Sequence, residues 1–137
     1  MGRVLAIDYG VRRTGLAVSD PLQLIAGGLA TVETRELERW LANYFQREEV
    51  STIVLGKPLQ MNGTPSETWR FIEPLARRLR AAYPDKEVTF YDERFTSVLA
   101  HRAMIEGGMK RQARRDKATV DRIAATLILE DYLQFGR

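Results

Sequence analysis

Short strand-like runs bounded by polar and turn residues mark the first third of the chain, and apolar residues three and four apart mark much of the rest. Arg3–Asp8 alternates, with Val4, Ala6 and Asp8 on one side, and reads as a strand. Tyr9–Arg13 is a turn. Thr14–Ser19 resumes strand character, with Leu16 and Val18 on one face and Gly15 and Ala17 on the other, until Asp20-Pro21 breaks it. Gly28–Glu33 makes a third strand. The short connections among these predict an antiparallel meander. Leu37, Trp40, Leu41, Tyr44 and Phe45 then recur at helical spacing, which predicts an amphipathic helix over 35–48. Thr52–Gly56 is the continuous apolar run expected of a buried central strand. After a loop at 57–65, Trp69, Ile72, Leu75, Ala76 and Leu79 mark a second helix from about Ser66. Pro74 is expected to kink that helix or shift its start. Glu87–Asp92 is the fifth strand. Thr96–Glu106 reads as a helix closed by Gly107-Gly108, and a basic loop runs from there to Asp116. Asp116 can cap a last helix over Lys117–Leu133.

The order is therefore β-β-β-α-β-α-β-α-α. A meander followed by right-handed crossovers predicts one α/β domain over residues 1–137. Its sheet is five-stranded and mixed, an antiparallel meander plus parallel strands, with helices on both faces. A chain of 137 residues that is 45% hydrophobic can bury such a core without covalent staples.

Composition narrows the chemistry. There is no cysteine, which excludes disulfides and thiolate metal sites. His101 is the sole histidine, so multi-histidine zinc is excluded, and a surface or packing role is expected for it. Any metal must be held by oxygen, which favours Mg2+ or Mn2+. No run approaches the ~18 apolar residues of a membrane span, and no signal-peptide pattern opens the chain. A soluble cytoplasmic protein with no membrane partner is expected; its oligomeric state is left open. The net charge of +3 hides a local concentration: Lys110, Arg111, Arg114, Arg115 and Lys117, with Asp116 the acid among them. That stretch suits nucleic acid, with affinity falling steeply as salt rises, or else it is a solubilising loop. It holds no aromatic residue, so shape or backbone recognition is expected of it rather than base reading.

Three acids stand out. Asp8 ends strand 1, at the carboxyl edge where open α/β sheets place ligands; alternatively it bonds its own turn backbone. Asp92 and Glu93 follow strand 5. If strand 4 lies between strands 1 and 5, Asp8 and Glu93 start roughly 10 Å apart, two strand spacings. The longer side chain of Glu93 spans such a gap better than Asp92, although an acid here also suits the N-terminus of the following helix. Asp121 borders the apolar stripe of the last helix, continued by Ala124, Ala125 and Ile128. It needs a partner there: Arg122, Lys117 or a cation. Carboxylates converging on one wet edge would hold a hard divalent cation.

Four stretches taken together resemble the YqgF/RuvX family of the RNase H-like superfamily, and the match covers nearly the whole chain. They are Asp8-Tyr9-Gly10 with Arg13 to Asp20, Gly56-Lys57-Pro58, Asp92 to Ser97, and Lys117 with Asp121, Ala124, Ala125, Ile128 and Leu129. Thr14 stands where many members carry Ile. The resemblance implies an RNase H-like fold and a metal-dependent endonuclease, with the acidic motif positions on Asp8, Glu93 and Asp121. It implies 5′-end processing of pre-16S ribosomal RNA, and alternatively Holliday-junction resolution. With one or two Mg2+ or Mn2+ ions, Asp8 would bridge while Glu93 and Asp121 each anchor one side. Arg13, Lys57 and Arg94, at expected edge loops, would hold the substrate backbone, and Lys117 would meet a phosphate or orient Asp121. For each of these bases a solvated surface charge is the plain alternative. The expected partner is structured RNA or branched DNA.

Two other classes compete. Asp-x-Gly before a strand with Thr14-Gly15 is also a phosphate-loop pattern of sugar kinases and actin-like ATPases, but those folds close two lobes and this chain has length for one. A non-catalytic nucleic-acid binder would keep the basic loop and have no use for acids beside phosphates.

Overall fold

Alternation along Arg3–Asp8 (β1) divides the protein into two apolar layers. The computed structural model describes residues 2–58, 67–93 and 117–137, with the side chains of 117–119 excepted. After β1 come Arg13–Ser19 (β2), Ala26–Glu33 (β3) and a 3-10 turn at Thr34–Glu36. Leu37–Arg47 (α1), Val50–Lys57 (β4), Trp69–Ala82 (α2) and Glu87–Asp92 (β5) follow. Lys117–Asp131 (α3) then runs into a wider π turn at Tyr132–Gly136. The strands form one five-stranded sheet in the order β3-β2-β1-β4-β5. β1–β2 and β2–β3 are antiparallel, and β1–β4 and β4–β5 are parallel. The expected meander with β4 between β1 and β5 is the observed one.

Leu5 and Ile7 point to the layer holding α1 and α2, where Leu41, Ile72, Leu75 and Leu79 meet Ile53 and Leu55 of β4. Val4 and Ala6 point the other way, to α3, where they join Ala17, Val54, Ala124, Ala125, Ile128 and Leu129. In the α3 layer small residues face one another, Ala6 and Ala17 on the sheet and Ala124 and Ala125 on the helix. Short side chains let the helix axis come close to the strands, and that closeness shapes the site. Trp40, Phe45 and Trp69 pack against the first layer and Tyr44 is buried within it, the packing role their spacing predicts.

Several boundaries differ from the pattern reading. β3 begins at Ala26, because Ala26 to Gly28 pair with Ser19 to Ala17 across an irregularity between Leu16 and Ala17. Glycine pairs in a sheet although its propensity argues against it. The last helix gives way to the π turn after Asp131, earlier than Leu133. α2 starts at Trp69 and runs through Pro74. Proline there removes one helical N–H, while Ile72, Leu75, Ala76 and Leu79 are all buried around it. The expected helix at 96–106, the basic loop, the Asp116 cap, His101 and the loop at 59–65 lie outside the described residues. No described helix is long and apolar enough to cross a membrane.

Candidate active site

The carboxyl ends of the parallel strands β1, β4 and β5 lie side by side, and period-two alternation decides which residues share a face there. Asp8 follows Val4 and Ala6 onto the α3 face and is 7% exposed. Its antiparallel partner is Gly15. Ile7 pairs with Leu55, so the next step along the ladder brings Asp8 beside Gly56. Gly56 pairs with Tyr91, and Glu93, two residues beyond Tyr91, shares its face. Glu93 is 2% exposed.

Two glycines let these groups approach. A Cβ built on Gly56 would lie 3.3 Å from Glu93 Cδ and 2.8 Å from Ile128 Cδ1. The Glu93 side chain therefore lies over Gly56, on the strand between its own and that of Asp8. A Cβ on Gly15 would lie 2.1 Å from the backbone carbonyl oxygen of Asp121. α3 thus touches β2 at Asp121, directly beside the residue paired with Asp8. The structure brings Asp8, Glu93 and Asp121 to one end of one face.

Asp121 has a partner other than those its sequence neighbours offered. Arg13 Nε donates to Asp121 Oδ2 at 3.2 Å, with the side chains 39% and 23% exposed. The reason is alternation: Arg13 lies two residues before Gly15, on the same face, and Gly15 is where α3 lands. Arg122 instead starts beside Gly28 of β3. The turn that aims Arg13 is pinned from β3, since the Thr34 hydroxyl donates to the Gly10 carbonyl at 2.6 Å. The Thr34 N–H donates to the Arg12 carbonyl at 2.9 Å. Gly10, Val11, Arg12, Arg13 and Asp121 line an open cleft of about 440 Å³.

The remaining basic candidates divide. Lys57 alternates with Gly56 and so faces the opposite layer, its ammonium 4.8 Å from the centre of the Trp69 ring. The structure does not bring it to the acids. Arg94, Lys110, Arg111, Arg114 and Arg115 lie outside the described residues, as does the side chain of Lys117. Asp92 pairs with Lys57 and shares that opposite face, which separates it from Glu93. Asp20 lies at the far edge of the sheet, because β2 runs antiparallel to β1. Its carboxylate accepts the N–H groups of Ile25, Leu24 and Leu22 at 2.7, 2.8 and 3.1 Å. The Ile25 amide above all holds that carboxyl below its ordinary range. Asp20 organises a turn.

A hard cation would suit this donor set. Asp8 and Glu93 are nearly buried carboxylates on one face, with a glycine between their strands, and every donor is oxygen. Among the described residues no three acid groups already stand as a cation-holding cluster; the Asp121 carboxylate is engaged by Arg13. Position along the chain offered the three acids as candidates, and resemblance to the family singled them out. The sequence reading missed Gly15 and Gly56 as contact points and Arg13 as a partner of Asp121. A signal was present: each glycine occupies an α3-face position beside Asp8, where a larger residue would have read as core.

A family model described as RuvX, Holliday junction resolvase, matches residues 2–135. A Bacteroides fragilis protein named "Putative pre-16S rRNA nuclease" is 53% identical over 137 residues, covering 100% of this chain and 99% of the relative. A Bacteroides thetaiotaomicron protein of the same name is also 53% identical with the same coverage. Among solved structures, Thermus thermophilus RuvC in complex with a Holliday junction substrate aligns with a TM-score of 0.56. It is 20% identical and covers 98% of this chain and 96% of RuvC, a likeness of fold. With its RNase H-like sheet and a family match that spans almost every residue, the chain belongs to the RuvX family.

Proposed function

We propose that this chain is a metal-dependent endonuclease that cuts structured RNA, with 5′-end maturation of pre-16S ribosomal RNA as its reaction. One observation carries the reading: Asp8, Glu93 and Asp121 share the α3 face at the carboxyl edge of the sheet, brought together across Gly15 and Gly56. The names of relatives about half identical in sequence supply the substrate class. A cytoplasmic place of action follows from that substrate.

The residues divide the work by position. Asp8, Glu93 and Asp121 would hold one or two Mg2+ or Mn2+ ions. Bound there, such ions stabilise charge on the scissile phosphate and lower the pKa of a water. Asp8, between the other two, is placed to share its oxygens with both sides. Arg13 lies where the backbone of a substrate would cross the edge, and its guanidinium suits a phosphate as well as a carboxylate. It would exchange Asp121 for a phosphate when nucleic acid arrives. The basic stretch from Lys110 to Lys117, with Arg94, would add charge along the path of the strand. Lys57, on the opposite face, would meet only a strand that wraps around the edge.

Arg13→Gln tests that exchange. The pair is partly exposed, so its loss is expected to lower stability by no more than about 1 kcal/mol in thermal melts. Mn2+ affinity measured by calorimetry is expected to rise, because a competing cation has gone, while RNA affinity falls. Loss of both affinities together would assign Arg13 to holding the site's shape.

The family description as a junction resolvase makes branched DNA the second reading, and one experiment separates the two. A single preparation is given a pre-16S RNA precursor and a four-way DNA junction, with Mg2+, with Mn2+ and with EDTA. Cutting of the RNA at defined positions, abolished by EDTA, is the expected result. Cutting of the junction alone selects resolution, and ATP hydrolysis with no cutting of either would restore the phosphotransferase class.

A further inference from the structure

Tyr9 immediately follows Asp8 and its ring turns the other way, packing against the α1/α2 layer. There it lies beside Phe71, in the first turn of α2, with ring centroids 6.5 Å apart and planes within 25° of parallel. Phe71 is 39% exposed and Val11, at the tip of the adjoining turn, is 62% exposed. The Arg70 guanidinium lies over the Phe71 ring at 4.8 Å. Core packing accounts for the other aromatic residues of this layer. Trp69 meets Phe90 edge to face at 5.0 Å, and both pack against the buried cluster. It does not account for Phe71, which opens to solvent one layer from the acidic edge.

The half-exposed Phe71 ring, backed by the partly buried Tyr9 and flanked by a planar cation, forms a surface on which a nucleobase stacks while its phosphate meets the guanidinium. Positive charge lies on the same layer: Arg70 over Phe71 and Lys57 over Trp69. Asp8 and Tyr9 take opposite faces at the end of β1, so a strand whose phosphate reaches Asp8 meets Tyr9 by turning around the carboxyl edge of the sheet, a turn open to an unpaired strand. A base inside a duplex already has a neighbour on each face, so only an unpaired one can stack here.

We propose that Tyr9, Phe71 and Arg70 form a stacking subsite for an unpaired RNA base flanking the phosphate that is cut. This rests on the nuclease reading and extends it. The subsite favours cleavage sites next to a single-stranded flank, a bulge or a strand end over continuous duplex. Recognition then involves a base plane as well as the shape and backbone contacts expected of the basic loop.

The test uses the full chain carrying Asp8→Asn, so that bound RNA stays intact. The probe is a short RNA with 2-aminopurine at one position, offered single-stranded or fully paired. Phe71→Ala is expected to weaken binding of the unpaired strand about tenfold and to remove the fluorescence change. Duplex affinity is expected to stay within about twofold, and Phe71→Trp to restore both signals. Phe71→Leu keeps apolar cover over Tyr9 without an aromatic face and should behave as Phe71→Ala does; equal affinity of Phe71→Leu and wild type would overturn the proposal. So would an equal loss for unpaired and paired RNA. If the Phe71 variants bind and cut as wild type does, the stacking subsite falls and the nuclease stands; if wild type neither binds nor cuts RNA, both fall.

Discussion

Asp8→Asn is expected to cut RNA at no more than about one-thousandth of the wild-type rate while its melting temperature stays level or rises. Several kcal/mol of transition-state stabilisation depend on the charge of the carboxylates that hold an ion, and about 4 kcal/mol is a thousandfold in rate. Glu93→Gln and Asp121→Asn are expected to lose comparable activity. Each exchange keeps the side chain's volume and removes its charge, so packing is preserved. Stability moves the other way because Asp8 is 7% and Glu93 2% exposed, and like charges brought to one edge repel. Relief of that repulsion is the usual result when a functional group is neutralised. Single-turnover cleavage and thermal melts on the same preparations decide it. Wild-type cutting by Asp8→Asn would remove the acidic edge from the chemistry altogether.

Gly15→Ala is expected to be the most damaging small substitution in the described fold. Its Cβ would lie 2.1 Å from the Asp121 carbonyl oxygen and 2.5 Å from its carbonyl carbon, both backbone atoms of a helix. Backbone cannot swing aside, so α3 must lift from β2. Overpacking of this kind costs about 3 kcal/mol, a melting temperature lower by about 10 °C in a domain of this size. Gly56→Ala makes the informative contrast. The nearest atom there is the Ile128 Cδ1 at 2.8 Å, the end of a flexible side chain, and Glu93 Cδ follows at 3.3 Å. A smaller loss of stability is expected, with a loss of cutting out of proportion to it, because Glu93 is displaced. Two melting curves and two cleavage rates separate the cases. A Gly15→Ala protein as stable as wild type would mean that α3 sits farther from the sheet than the structure places it.

The strands and helices were legible because their signals are local. Alternation in Arg3–Asp8, the unbroken run in Thr52–Gly56 and the helical spacing from Leu37 to Phe45 each arise from a face that must be buried. Family resemblance added the identity of the three acids. Pro74 marked a shift in the start of α2, which begins at Trp69 and is carried past the proline by buried residues on both sides. The start of β3 was hidden: glycines have little strand propensity, and only the ladder with β2 recruits them.

The site was less legible than its members. Arg122 and Lys117 were the natural partners for Asp121 along the chain, yet among the described side chains it is Arg13, distant in sequence, that meets it. Lys57 and Gly56 are adjacent in a motif, but one faces Trp69 and the other faces Glu93. Asp20, within the same motif as Arg13, ends at the opposite edge of the sheet and orders a turn.

Sequence alone determined the described elements, their order and the all-oxygen character of any metal site, because periodicity and composition are properties of each segment by itself; the choice of the three acids rested on resemblance to the family. Tertiary structure alone decided which side of the sheet each group faces, which base meets Asp121, and that two glycines are the points of closest approach. Those outcomes depend on strand register and on where α3 lands, and both are set by pairings between residues far apart in the chain.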